Sequence, residues 1–116
     1  MAAALRPLAV APAGGTGQIA FYGMASYTSG GNAAIYNASI FVNTPISADK
    51  QGNIYFGVMV TGTNPSGLVS SIVKIDKNGV GSSVAVPTIS SDMTKVAHNC
   101  APALSADEGV IYFGIN

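Results

Sequence analysis

Hydrophobic positions fall into short runs broken by glycine, asparagine and aspartate, and within the runs they recur at every second residue. Residues 53–60 carry Ile54, Phe56, Val58 and Val60 on one side and Tyr55 and Met59 on the other. That pattern predicts a strand apolar on both faces, covered on both sides. Residues 68–75 alternate Val69, Ser71, Val73 and Ile75, and residues 80–86 alternate Val80, Ser82, Val84 and Val86, which predicts two further strands. Between them Asp76, Lys77, Asn78 and Gly79 form a hairpin turn, because Asn-Gly accepts the left-handed geometry of a tight connection. Residues 45–48 form a short extended piece led by Pro45, where the ladder can spare a donor. Little helix is expected, and the connection 88–97 is the main exception, since residues 91–95 suit a short helical turn.

The pattern then restarts. Residues 43–57 and 99–114 share Asn43/Asn99, Pro45/Pro102, Ser47/Ser105, Ala48/Ala106, Asp49/Asp107, Gly52/Gly109, Ile54/Ile111, Tyr55/Tyr112, Phe56/Phe113 and Gly57/Gly114, in one order. A weaker echo, Gly17-Gln-Ile-Ala-Phe-Tyr-Gly23, stands near the start. Self-similarity at a fixed spacing is the mark of a repeat architecture. Four antiparallel strands followed by a restart predict an all-β fold of four-stranded blade repeats, a partial β-propeller. The boundaries follow: 1–14 a linker or loose arm, 15–42 a partial preceding blade, 43–98 a complete blade, 99–116 the start of the next. A blade cannot bury its faces alone. The chain is therefore expected to belong with remaining blades of a larger chain, with Ile111, Phe113 and Ile115 partly exposed or covered only by the N-terminal arm.

Residues 101–114 and the hairpin of residues 68–86 resemble the repeats of quinoprotein-like β-propellers. There a proline-led strand, an Asp/Gly turn and an apolar strand ending in tyrosine, phenylalanine and glycine recur blade by blade. The resemblance covers residues 43–116 and implies architecture, while the same blades serve dehydrogenases and scaffolds alike. Such dehydrogenases carry tryptophan docking motifs, adjacent cysteines and calcium ligands. This chain has no tryptophan and one cysteine, Cys100, so no cofactor-binding residue carries over and no cofactor is expected. Ser105, Asp107, Gly109 and Tyr112 also fit the outline of the Asp box of sialidase-like propellers, where serine and aspartate tie a turn together.

Composition narrows the function classes. Five basic and five acidic residues make up 9% of the chain and cancel. No basic patch exists to hold phosphate backbones, so nucleic acid is not an expected partner. The longest apolar run, residues 54–60, is of strand length, so no membrane partner is expected. The apolar stretch Leu8 to Ala11 is too short for a secretory h-region. Poverty in charge and richness in glycine, serine, threonine and asparagine nevertheless point to a secreted or periplasmic protein. The acceptor Asn37-Ala-Ser39 agrees with that, while Asn64-Pro65-Ser66 is blocked by its proline.

The candidate chemistry is sparse. Ser47, Asp49, Gly52, Ser105, Asp107, Gly109, Asn78 and Gly79 read as structural turn residues. His98, the one histidine, precedes a proline-led strand near the propeller axis and reads as a hydrogen-bonded histidine at a strand entry, with a place facing the channel as the weaker alternative. Cys100, two residues on, would share a face with His98 on an extended chain, but nothing in the sequence marks it as a nucleophile. Asp49, Asp107 and Glu108 belong to turns of successive repeats rather than to one paired-carboxylate site. The glycine clusters at 14–17 and 29–31 lack phosphate-loop spacing. Tyr22, Tyr27 and Tyr36 pack in the core or offer an aromatic surface. The expected function is a non-catalytic propeller segment for binding or scaffolding. The alternative is part of a propeller enzyme, a quinoprotein-like oxidoreductase or glycosidase, with its active site outside these residues.

Overall fold

The computed structural model describes Ala4–Leu5 and residues 18–116. The arm expected over 1–14, apart from that dipeptide, and the glycine cluster at 14–17 lie outside the described residues. Strands occupy 30% of the described residues and helices 17%, and every strand pair among them is antiparallel.

The centre is one sheet. Strand β1 (Ala4–Leu5) pairs with β2 (Ile19–Ala20) apart from it. In the main sheet, β3 (Ile40–Val42) and β4 (Ser47–Ala48) lie end to end along one edge of β5 (Ile54–Val60), with Val42 opposite Val58 and Ser47 opposite Tyr55. The break between them has a local cause. Pro45 has no N–H to give, and the Thr44 hydroxyl accepts the Gly57 N–H at 2.8 Å in place of a backbone carbonyl. On its other edge β5 pairs with β6 (Ser71–Ile75), and β6 with β7 (Gly81–Ala85).

The pairing registers sort side chains by face. Phe56 opposite Val73 and Ile54 opposite Ile75 put these four on one face. Phe56, Val58, Val73 and Ile75 are buried there beneath Phe21, Tyr36 and Ile40. Burying such a side chain contributes roughly 1.5–3 kcal/mol, so this face carries the core. Gly81 is required at the start of β7 because a Cβ there would run into the Phe21 backbone. On the opposite face Gly57 admits Val96: a Cβ at Gly57 would lie 2.8 Å from the Val96 side chain.

After β7 the chain reaches α3 (Val86–Ile89) and then Val96, which bridges to Ile115. Strands β8 (Ala103–Leu104) and β9 (Ile111–Tyr112) pair through Ala103 with Tyr112 and Leu104 with Ile111.

The structure departs from the sequence expectation in three places. Residues 15–42, expected as a partial blade, instead hold α1 (Met24–Thr28) and α2 (Asn32–Ser39). Ala33, Ala34 and Ala38 favour helix, and Gly31, left-handed at φ +71°, sets the start of α2. The helical turn lies at Val86–Ile89, with Pro87 in its first turn, overlapping the start of the connection 88–97 rather than falling at 91–95. The strand expected over 68–75 begins only at Ser71. Before it, the Asn64 side chain bonds both the N–H and the carbonyl of Leu68, each at 2.9 Å, and holds the chain in a loop.

Candidate functional site

Polar chemistry gathers first in the turns. At residues 49–53 the Asp49 N–H bonds the Asn53 carbonyl, and the Asp49 carboxylate accepts the N–H groups of Gln51 and Asn53 at 2.9 and 3.0 Å. It also accepts the Asn53 side-chain amide at 2.8 Å and the Tyr55 hydroxyl at 3.0 Å. The Asn53 amide in first place holds the Asp49 carboxyl down at about 2. Gly52 takes φ +91°. The turn at 76–80 is built alike: Asp76 bonds Val80 backbone to backbone, its carboxylate accepts from Asn78 and Val80, and Gly79 takes φ +83°. Asp-Lys-x-Gly thus writes the same three-residue loop twice, a turn closed by one left-handed residue. Asn78 does not share the left-handed geometry that its Asn-Gly pair suggested; Gly79 alone adopts it.

The third turn reaches the same end with different residues. Ser105 N–H bonds the Val110 carbonyl, and the Ser105 hydroxyl accepts the Val110 N–H and donates to Asp107. Asp107 accepts the Gly109 N–H at 3.0 Å, a bond that leads in lowering its pKa. Here Glu108, not Gly109, adopts the left-handed conformation, at φ +59°. By its place at the strand end, Ser105 does the work of Asp49, so the textual match of Asp49 with Asp107 is not a match of roles. Ser47, read as a turn residue, stands on β4, and its hydroxyl donates to the Pro102 carbonyl.

The three turns form a connected rim. The Glu108 carboxylate accepts the Lys50 N–H at 3.2 Å, and the Asn53 side-chain oxygen accepts the Lys77 N–H at 3.2 Å. Asn43 makes a further joint between the two parts of the chain. Its carbonyl accepts from Asn99 and its side-chain amide donates to the Val96 carbonyl, both at 2.9 Å.

Beside that joint lies a notch of about 410 Å³, bordered by Phe41, Asn43, Pro45, Met59, His98 and Asn99. His98 is exposed, and its Nε2 is 3.3 Å from the Lys95 ammonium nitrogen. Cys100 is exposed with a free thiol. Neither Cys100 nor a carboxylate is hydrogen-bonded to the His98 ring among the described residues. His98, the weak channel candidate of the sequence, stands at the rim of this notch.

No family model, curated protein or solved structure matches the chain.

The remaining sites read from sequence divide between core and surface. Tyr36 is fully buried, stacked on Tyr22 at 4.1 Å between ring centres, and its hydroxyl meets those of Ser26 and Ser66. Burial pushes the Tyr22 phenol far above its ordinary range, with Tyr36 and Tyr27 adding to the effect. The tyrosines are thus packing residues, while Tyr22 also borders an open groove of about 750 Å³ between residues 18–24 and 79–83. Asn37 of the glycosylation acceptor is exposed on α2, whereas Ser39 is buried and donates to the Ile35 carbonyl. No helix among the described residues is long and apolar enough to cross a membrane.

Proposed function

We propose that the chain is a non-catalytic unit of β-propeller type that serves binding or scaffolding. Residues 40–85 act as one four-stranded blade and residues 94–116 as the inner half of a neighbouring one. The observation that carries this reading is a repeated pairing arrangement. On β5 the partner strand arrives as two pieces, Val42 opposite Val58 and then Ser47 opposite Tyr55. On residues 111–115 the partner again arrives as two pieces, Val96 opposite Ile115 and then Ala103 opposite Tyr112. The two broken inner edges lie side by side, joined through Asn43 with Asn99 and Ser47 with Pro102. Inner edges gathered about a common axis are the geometry of neighbouring blades.

The carboxylates favour structure over chemistry. Asp49, Asp76 and Asp107 are spent on amides of their own turns, and a carboxyl held at about 2, as Asp49 is, makes a poor proton carrier near neutrality. The charge-poor composition supports a secreted or periplasmic setting. An experimental structure tests the architecture. Residues 40–60 and 94–116 should superpose through a rotation of about 45–90° with little translation along the axis, as four to eight blades require. A pure translation, or unrelated orientations, would overturn the reading.

A further inference from the structure

Resting on the blade reading, we infer that the outer edge of β9 is a docking site for a single antiparallel polypeptide strand built like β6. The alternation of backbone bonds sets which groups face outward. Gly114 and Asn116 turn their carbonyls inward, accepting from Ala97 and Lys95 at 2.8 and 3.0 Å, and Val110 accepts from Ser105 on the same side. The N–H and C=O groups of Ile111, Phe113 and Ile115 therefore point away from β8, and no strand pairs with them among the described residues.

β5 shows what such an edge takes. There Asn53 and Gly57 turn their carbonyls inward to Asp49 and Asn43. The outward residues Ile54, Phe56 and Val58 meet Ile75, Val73 and Ser71 of β6. Residues 111–114 repeat residues 54–57 letter for letter, Ile-Tyr-Phe-Gly. The burial differs at two of the three positions: Phe56 and Val58 are fully buried while their counterparts Phe113 and Ile115 are half-buried, and Ile54 and Ile111 are both half-buried. The side-chain chemistry of the occupant follows as well. Lys74 stands opposite Tyr55 with its ammonium 6.0 Å from the ring centre. Tyr112, the counterpart, is 60% exposed. The occupant is thus a strand with apolar or small residues at alternate positions and a cation opposite Tyr112. Strand addition of this kind gains affinity from main-chain bonds and selectivity from the alternating side chains.

The test uses the 116-residue chain and a synthetic peptide of residues 69–76 as probe, followed by amide hydrogen exchange. The peptide should slow exchange at Ile111, Phe113 and Ile115 about tenfold or more and leave Tyr112 and Asn116 unchanged. A peptide carrying Val73→Pro, which removes a ladder donor, should have no effect, and one carrying Lys74→Ala should bind about two- to fivefold more weakly. No slowing at saturating peptide, or equal slowing by the proline peptide, would overturn the inference. Protection of the same three amides by self-association alone would also overturn it, in favour of a second copy. If the two units prove related by rotation yet the peptide fails, the strand site falls and the blade reading stands. If the rotation is absent, the blade reading falls whatever the peptide does.

Discussion

Asp49 concentrates more bonds than any other side chain of the rim, and its titration makes a residue-scale prediction. Its carboxyl sits at about 2 in the fold against an ordinary 3.8, owing first to the Asn53 side-chain amide. A folded pKa below the unfolded one means that the unfolded chain takes up the proton first. The stabilisation is complete above about pH 4 and is lost as the pH falls through 2. Asp49→Ala should therefore lower the melting temperature at pH 7, with the gap to the parent narrowing between pH 4 and pH 2; a gap independent of pH would contradict this. The turn aspartates were legible in the sequence because their position before a glycine has a local cause. The role of Ser105 was not, since a serine followed by an aspartate two residues on aligns by letters with the wrong partner. Nor was Glu108 legible as the left-handed residue, because Gly109 beside it satisfies every local rule for that place.

The strands β5, β6 and β7 were readable as elements because alternation is a signal internal to each segment. Helices α1 and α2 were not. Tyr36 and Ser39 are the residues of α2 that are buried, and Ile35 is 45% exposed, so no apolar stripe of helical period marks it. A helix of eight residues is marginal by itself and owes its place to Tyr36 on the sheet and to the Tyr36 hydroxyl between Ser26 and Ser66. Tyr36→Phe keeps the ring and removes those bonds, at a cost of about 1–2 kcal/mol. Chemical denaturation should show the midpoint falling with an unchanged slope; an unaltered midpoint would mean that the hydroxyl is solvated equally well once unfolded.

For the whole molecule, the decisive contact is between Gly57 and Val96, which seats residues 94–116 on the sheet. Adding a methyl at Gly57 places it 2.8 Å from Val96 Cβ and 2.9 Å from the Thr44 methyl. Gly57→Ala should cost about 1–3 kcal/mol by overpacking, and Val96→Ala in the same chain should recover part of that loss. A double-mutant cycle by denaturant melts measures the coupling, and strict additivity would show that the two parts do not press on each other there. The sequence pointed to the likeness of 43–57 and 99–114, but not to this seat. A glycine chosen for what sits above it looks the same, in letters, as a glycine chosen for a turn.

The joints between the two parts also bear on the order of folding. Asn43 with Val96, Ser47 with Pro102 and Lys50 with Glu108 are 53, 55 and 58 residues apart in sequence, whereas each rim turn closes over four or five. Local hairpins close in roughly 1–10 μs, while distant contacts must first overcome the entropy of closing long loops. The hairpins should form early and the joints last, after the rate-limiting barrier. Ser47→Ala should then leave the refolding rate nearly unchanged and raise the unfolding rate by almost the whole of its effect on stability. Stopped-flow refolding and unfolding arms would show it. A slowed refolding arm would place the joint inside the nucleus and make the two parts one cooperative folding event.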